Sequence, residues 1–308
     1  MGPFRNHGVE LQERDLDILV SLFECRVMNL AHITSLFFAG KTEAAKKRVQ
    51  KLKAGGFLRE RKRRIGDPSV LHIGTKAFAA LRESGKLDRF PATNMSAFEK
   101  RGQVSDLTLR HELEVMEVRM AFVRAVRETQ HLSILEFTTW PALCQFTARY
   151  ISPTLGRREA LIKPDGFIRI HEKTSEGTFE HIFFLEVDRS TESQEVIAQK
   201  AVCYLDFYQS GGMALRLGAN PEEFRQFPFR VLMVFKSEER RNNAAQRLWK
   251  NNPPILTQVW LSTHSEVFRN PLGQIWIRPS DHMASLRGTE CHISDDKKIA
   301  ISPSDTRG

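Results

Sequence analysis

The sequence has no long apolar run and few cysteines. A membrane-spanning helix needs about 18 or more consecutive apolar residues, and no stretch of the 308-residue chain approaches that length. The four cysteines stand too far apart for a zinc ribbon or a disulfide framework. The opening residues, MGPFRNHGVELQERD, contain no apolar stretch of the secretory type. These absences predict a soluble cytoplasmic protein with reduced thiols and no membrane partner.

The length and composition favour more than one packed domain. Hydrophobic residues make up 41% of the chain and charged residues 27%, which excludes wholesale disorder. A chain of 308 residues corresponds to about two domains. We expect an N-terminal domain over residues 8–85, a polar linker over 86–103, a second domain over 104–279 and a polar tail over 280–308.

Positive charge is concentrated in one short segment. The net charge is +9, and residues 41–64 hold 11 basic and 2 acidic side chains, so the rest of the chain is neutral overall. A positive field confined to one segment is typical of a protein that binds a polyanion. The alternative is a solvated helix face followed by a charged loop, and the place of the segment in the fold favours the first interpretation.

The N-terminal pattern predicts helices followed by a β-hairpin. Apolar spacing and turn residues predict a helix from Leu11, helices over Leu30–Phe38 and Thr42–Lys53, strands over Phe57–Arg61 and Val70–Ile73, and a helix over Thr75–Glu83. This is the order of a winged helix-turn-helix, whose third helix enters the major groove and whose hairpin contacts phosphates or the minor groove. A helical protein-interaction domain of the same topology is the alternative. The predicted DNA-binding residues are Lys46, Lys47, Gln50, Lys51, Arg61, Lys62, Arg63 and Arg64.

The second half of the chain alternates helices with strands. The predicted elements are a helix over Asp106–Glu128, strands over Leu132–Trp140, Leu161–Ile170 and His181–Val187, a helix over Ser193–Tyr208, a strand over Phe229–Phe235, a helix over Glu238–Trp249 and a strand over Leu256–Leu261. Helix, three strands, helix, strand is the order of an α/β sandwich. We therefore expect an α+β or α/β protein, with a winged helix followed by a restriction-endonuclease-like α/β sandwich.

Two acidic residues in this half have the spacing of a metal-dependent nuclease site. Asp165 precedes a turn in KPDGFIRI, and Glu186 stands 21 positions later on the apolar strand FFLEVD. This order is typical of restriction-endonuclease-like nucleases, in which two carboxylates on neighbouring strands hold Mg²⁺ together with the scissile phosphate. We therefore predict Asp165 and Glu186 as metal ligands, with Mg²⁺ or Mn²⁺ as the cofactor.

Four further residues join them as candidate catalytic residues. Such nuclease sites have a lysine two residues after the glutamate, where this chain has Asp188, so Lys200 on the next helix is the candidate to orient the attacking water. His111 and Glu114 share the apolar side of the helix that opens the second domain, and an inward glutamate there would be a third metal ligand. The alternative is a core histidine bonded to backbone, with the glutamate at the rim.

The chain resembles a known family through four motifs that follow the winged helix. They are RHELEV, KPDGFIRI, FFLEVDRST and QKAVCY, and the resemblance covers about residues 10–260. The family is that of the plasmid replication-relaxation proteins, which pair an N-terminal winged helix with a degenerate nuclease-like domain. The resemblance implies action at a plasmid or mobile-element origin, and similarity to mobilisation relaxases that use a metal nuclease site instead of a tyrosine. It also implies Asp165 and Glu186 as the site acids, with the four further candidates around them.

Two functions follow from this sequence. The first is a Mg²⁺-dependent nicking protein that selects an origin through its winged helix. The second is a non-catalytic DNA-binding regulator or relaxosome accessory protein, in which the nuclease-like domain only dimerises or holds partners. The expected partners are double-stranded DNA and either a second copy of the chain or relaxosome and replication proteins.

Overall fold

The chain folds into two compact units of mixed α+β structure. The computed structural model describes residues 5–6, 9–62, 69–90, 94–152, 156–190, 192–287 and 301. One unit comprises Met1–Met120 and the other Ala121–Gly308. Of the residues predicted to contact DNA, Arg63 and Arg64 lie outside the described residues. No helix in the described part of the chain combines the length and the apolar character that a bilayer crossing requires.

The N-terminal unit contains short helices and a small antiparallel sheet. Its elements are β1 (Arg5–Asn6), β2 (Val9–Glu10), α1 (Glu13–Cys25), β3 (Met28–Asn29), α2 (Leu30–Phe37), α3 (Thr42–Ala54), β4 (Leu58–Glu60), β5 (Val70–Ile73), α4 (Ala77–Glu83), α5 (Met95–Gly102) and the first part of α6 (Asp106–Arg127). β5 pairs antiparallel with both β3 and β4. The helices and the β4–β5 hairpin therefore follow one another in the predicted order.

Helix α3 forms where the sequence predicts it and buries the predicted face. Ala45, Val49 and Leu52 are its buried residues, at i, i+4 and i+7 spacing. Gly56 follows the helix with a φ of +77°, a conformation that glycine adopts without steric cost, and the chain turns there into β4. Lys46, Lys47, Gln50 and Lys51 are consequently left exposed on the side away from the core.

The first part of α6 belongs to the N-terminal unit, so the boundary lies later than residue 104, the predicted start of the second domain. Val104, just before α6, packs in a buried cluster with Val27 and Val70, and Leu109 and Leu113 of α6 pack against that cluster. Apolar contacts of this kind hold the start of a long helix to the unit that it packs against.

Residues 86–103 differ from the polar linker that the sequence predicts. Within them α5 begins after Asn94, whose side chain accepts a backbone N–H at 2.9 Å. Phe98 is 1% exposed, and its ring stacks on Phe23 with centroids 5.0 Å apart. Phe90 of the same segment is also buried, with its ring centroid 5.2 Å from that of Phe23. The segment is therefore anchored by individual rings in the core, which requires no apolar stripe.

We expect Phe98→Ala to lower the free energy of unfolding of the N-terminal unit by about 3–5 kcal/mol, because truncation of a buried phenylalanine leaves a cavity. Met95→Ala is the matched control on the same helix, since Met95 is 42% exposed, and it should change stability by less than about 0.5 kcal/mol. Urea unfolding measures both. Similar small effects of the two substitutions would contradict the anchoring of this segment.

The C-terminal unit contains one mixed sheet with helices and a separate hairpin. Its elements after α6 are β6 (Leu132–Thr138), α7 (Pro141–Cys144), β7 (Phe146–Ser152), β8 (Gly156–Ile162), β9 (Gly166–Thr174), β10 (Gly177–Asp188), α8 (Gln194–Gln209), α9 (Gly212–Arg216), a 3₁₀ helix (Pro221–Gln226), β11 (Arg230–Phe235), α10 (Glu238–Trp249), β12 (Val259–Thr263), α11 (His264–Arg269) and α12 (Pro279–Arg287). Among the described residues, five of these strands form the sheet in the order β12–β11–β10–β9–β6.

The direction of the strands follows from their connections. β10, β11 and β12 are parallel, and α8 and α10 provide the crossovers that parallel strands need. β9 is antiparallel to both β10 and β6. The central strand β10 contains the nearly continuous apolar run Ile182–Val187, which is buried throughout because the strand is covered on both faces.

The predicted strand Leu161–Ile170 is two strands in the structure. β8 ends at Ile162 and β9 begins at Gly166, and Pro164 between them has no N–H to donate to a ladder. β8 pairs with β7 in a hairpin that the sequence analysis did not predict. Asp165 therefore lies in the connection between two sheets, directly before β9.

The segment beyond Pro279 is not wholly the polar tail that the sequence predicts. Residues 279–287 form α12, and His282 on this helix is 2% exposed. Burial lowers the pKa of His282 below its usual value, so the side chain packs as a neutral ring. Helix α12 is held in place because a few of its side chains point inward and form a packed face, although its sequence is largely polar. Residues 288–300 and 302–308 lie outside the described residues.

Candidate functional site

The exposed face of α3 carries four of the eight residues predicted to contact DNA. Lys46, Lys47, Gln50 and Lys51 are all exposed, and their spacing keeps them on one side of the helix. Lys62, beyond β4, is exposed as well. Within the described residues, the three α3 lysines form no ion pair with a carboxylate. Their charge is therefore available to an external anion.

Other basic side chains of the same segment are engaged within the N-terminal unit. The Arg48 guanidinium donates at 2.8 Å to Asp15, which is fully buried, and Lys53 is also paired with a carboxylate. Arg61, predicted to contact DNA, donates to the Asp106 carboxylate at 2.6 Å. Three of the described basic residues without a carboxylate partner, Lys46, Lys47 and Lys51, therefore lie together on the exposed face of α3, while Lys41, Arg59 and Lys62 lie outside it.

Asp165, directly before β9, is a neighbour of Glu186 on the adjacent antiparallel strand β10. Gly166 of β9 pairs with Leu185 of β10, and the Asp165 N–H donates to the Leu185 carbonyl at 3.0 Å. Continued by one residue, this register places Asp165 beside Glu186. The Asp165 carboxylate accepts the Val187 N–H at 2.8 Å, which ties it to the backbone next to Glu186. The structure thus brings the two predicted acids together.

Glu186 is buried, and donors from α8 bind both of its oxygens. Oε1 accepts the Tyr204 hydroxyl at 2.6 Å, and Oε2 accepts Lys200 Nζ at 3.0 Å. The same Lys200 ammonium lies 2.7 Å from a carboxylate oxygen of Glu192. Lys200 and Tyr204 are four residues apart on α8, so one face of the helix presents both to the strand.

The surroundings of Glu186 and Lys200 change the pKa values of both side chains. Burial raises the pKa of Glu186 to about 7; Lys200 opposes this change, whereas the nearby charge of Asp165 adds to it. Burial alone lowers the pKa of Lys200, but the charges of Glu186 and Glu192 outweigh it and raise that pKa above its usual value. Lys200 therefore stays protonated at neutral pH, whereas Glu186 gains or loses its proton close to neutral pH.

This raised pKa predicts a pH-dependent stability. A carboxyl group whose pKa is higher in the folded state stabilises the fold at low pH, and the contribution is lost as pH rises through about 7. In metal-free buffer, the free energy of unfolding of the native protein relative to Glu186→Gln should fall by about 2–3 kcal/mol between pH 5 and pH 8. Urea unfolding at several pH values measures this difference. A pH-independent difference would contradict the raised pKa.

Asp188, at the position where related sites have lysine, is bound by an arginine. Its carboxylate is 7% exposed and receives two hydrogen bonds from Arg240 of α10, one of them 2.9 Å long. The same guanidinium donates to the Glu192 carbonyl. A bidentate arginine neutralises the aspartate and fixes the end of β10 against α10.

A small cavity adjoins these side chains. Its volume is about 10 Å³, and Glu186, Asp188, Glu192 and Lys200 are among the residues that line it. That volume is close to the minimum that one water molecule occupies. The site therefore has space for a single water or small ion beside three carboxylates and one ammonium.

His111 and Glu114 lie on α6 in the N-terminal unit, and both are half-buried. Their part in an acidic site stays a prediction. Glu192 and Arg240 belong to the site but were not predicted from the sequence. Arg240 binds Asp188 from 52 positions away, and Glu192 binds Lys200 from the segment before α8. The i, i+4 spacing of Lys200 and Tyr204 was the available signal for the tyrosine.

The donor set around Glu186 favours a hard cation over a soft one. Burial raises the pKa of Cys144, near the two acids, to about 12, so its sulfur stays a neutral thiol and a poor metal ligand. Among the described residues, no group of three or more His, Cys, Asp or Glu side chains is placed to hold a metal ion. Two carboxylates are nevertheless enough for Mg²⁺, which completes its shell with water and substrate phosphate.

The chain belongs to the replication-relaxation family, whose model matches residues 19–222. The match spans both units, from α1 to the 3₁₀ helix, and includes α3 as well as the two acids. Membership indicates a role in the replication or mobilisation of a plasmid or other mobile element. No curated protein and no solved structure matches the chain significantly.

Proposed function

We propose that the protein binds double-stranded DNA at the origin of a plasmid or mobile element, through α3 and the β4–β5 hairpin. The observation that carries this proposal is the exposed face of α3, where three lysines and a glutamine stand without carboxylate partners among the described residues. A helix of this kind contacts phosphates through its lysines and base edges through polar side chains such as Gln50.

The order of elements supports a winged helix as the DNA-binding module. α1, α2 and α3 precede the hairpin, and β5 joins β3 and β4 in one sheet. In this arrangement the third helix enters the major groove and the hairpin lies along the flanking backbone. Lys62 follows the end of β4 by two residues, so its exposed side chain belongs to the predicted wing.

The test is a titration of the full-length chain with a labelled duplex from the origin of its element. Binding through phosphate contacts releases counterions, so the affinity should fall linearly with salt on a double-logarithmic plot. Unrelated duplex of the same length is the control and should bind more weakly. No duplex binding at low salt would contradict the proposal.

A second candidate function is metal-assisted cleavage of one DNA strand at Asp165 and Glu186. The specific observation in its favour is the hydrogen bond from the Val187 N–H to the Asp165 carboxylate, next to Glu186, together with the bond from Lys200 to Glu186. The sheet order and the α6–β6–β9–β10–α8–β11 sequence of elements support a restriction-endonuclease-like unit. Here the acids would hold Mg²⁺, which acidifies a bound water and neutralises charge on the phosphate.

Lys200 and Tyr204 would position the groups of the site and neutralise their charge. Lys200 stays protonated between Glu186 and Glu192, so it serves as a fixed cation for a phosphate oxygen or a water, and it is a poor base. Tyr204 is fully buried and holds Glu186 through its hydroxyl. Its burial makes it unsuited to the covalent role that an exposed tyrosine would have.

A non-catalytic regulator or relaxosome accessory protein is the alternative. It is favoured by the exchange of the expected lysine for Asp188, which Arg240 binds, and by the engagement of both Glu186 oxygens. In that case the C-terminal unit would hold a second copy of the chain or other replication proteins. The two functions share duplex binding by α3 and differ in nicking.

A further inference from the structure

A groove on the C-terminal unit is separate from the acidic pair. It has a volume of about 630 Å³, within the range of sites that hold a ligand. The β7–β8 hairpin forms one wall, and α8 with the end of α10 forms the other. Tyr150 and Val202 provide an apolar surface within it, while Arg149, Arg157 and Arg247 also line it.

Among the described residues, one arginine of the groove has no acidic partner. Arg149 lies 3.8 Å from Asp206, and Arg247 lies 3.9 Å from Glu195, so these acids are each matched by an arginine. Arg157 is exposed and forms no ion pair with any residue that the structure describes. The groove therefore has a net positive charge, which suits an anionic ligand.

The hairpin is fixed in place beside α8. The Arg149 backbone N–H donates to the Asp206 carboxylate of α8 at 2.8 Å, and Phe146 of β7 stacks on Phe207 of α8 with ring centroids 4.1 Å apart. A wall that is held in this way needs little ordering when a ligand binds. The groove is thus a preformed feature of the unit.

We propose that this groove binds single-stranded DNA. An apolar surface with an aromatic ring suits unpaired bases, and arginines at its edge suit the phosphates between them, whereas a duplex hides its base faces. Gln199 of α8 lines the groove, and its neighbour Lys200 contacts Glu186, so a strand bound here would lie along the helix that completes the acidic site. The inference rests on the proposed function of the chain as a DNA-binding protein.

The test uses the full-length protein and a labelled oligodeoxythymidine of about 16 nucleotides. Arg157→Ala and Arg247→Ala should each weaken binding several-fold, and together about tenfold. Each should also flatten the slope of log affinity against log salt by about 0.7. Arg158→Ala is the matched control, because Arg158 is the exposed neighbour of Arg157 and does not line the groove. It should bind nearly as the native protein does.

Three outcomes of the oligodeoxythymidine titration would overturn the proposal. They are absence of oligodeoxythymidine binding by the native protein, native-like binding by Arg157→Ala, and an equal loss in Arg158→Ala. A preference for oligouridine would reassign the groove to RNA and overturn it as well. Duplex affinity should be unchanged in all three variants, so failure here is distinguishable from failure of duplex binding by α3. Arg157 is exposed on the hairpin, and its substitution should leave the melting temperature unchanged.

Discussion

Replacing Lys46, Lys47 and Lys51 together with alanine is expected to lower the affinity for origin duplex about 100-fold at physiological salt. The three side chains are exposed on α3, and each lysine that neutralises a phosphate releases counterions. The slope of log affinity against log salt should therefore flatten by about 0.9 for each lysine removed. Fluorescence anisotropy titrations at several salt concentrations measure both quantities.

A matched control separates this effect from the change in net charge. Lys173, Lys236 and Lys250 are exposed lysines of the C-terminal unit, and their joint replacement removes the same charge. That variant should keep most of the affinity and a nearly native slope. Equal losses in the two triple variants would contradict the assignment of α3 as the recognition helix.

The N-terminal unit was largely predictable because its patterns are local. Ala45, Val49 and Leu52 repeat at helical spacing, and the glycines that follow end the helix, so the bounds and the buried face of α3 agree with the sequence. The segment 86–103 was not predictable in the same way. Phe98 anchors it through contact with Phe23, which lies far away in the chain.

The C-terminal unit shows where local patterns fail. Pro164 signalled a break in the predicted strand Leu161–Ile170, and the alternation in FTARY signalled β7, but both signals are short. The two acids were identified because Asp165 precedes a predicted turn and Glu186 stands 21 positions later on an apolar strand. The bond from Arg240 to Asp188 depends on the packing of α10 beside β10, and residues 52 positions apart carry no mutual pattern.

The second prediction with a large expected effect concerns metal binding by Asp165 and Glu186. If Asp165 and Glu186 share a metal ion, binding relieves the repulsion between them and stabilises the fold by mass action. Mn²⁺ at about a hundred times its dissociation constant should raise the free energy of unfolding by about 2.7 kcal/mol, measured by thermal or urea unfolding. Asp165→Asn and Glu186→Gln should remove that response.

Glu159→Gln is the control for this experiment, since Glu159 is an exposed acid of the β7–β8 hairpin in the same unit. It should retain the full stabilisation by Mn²⁺. A native protein whose unfolding is insensitive to Mn²⁺ and Mg²⁺ would show that the two acids do not form a metal site. Retention of the response in Asp165→Asn would place the ion elsewhere.

Origin binding and nicking are tested together most directly by one experiment. The protein is incubated with Mg²⁺ and a supercoiled plasmid that carries the origin of the element. The native protein should convert the plasmid to open circles, and Lys200→Ala should do so more slowly. Asp165→Asn should leave the plasmid supercoiled while it still binds origin duplex. A native protein that binds the origin but does not open the supercoiled plasmid would contradict the nicking function. That result would favour the non-catalytic DNA-binding function.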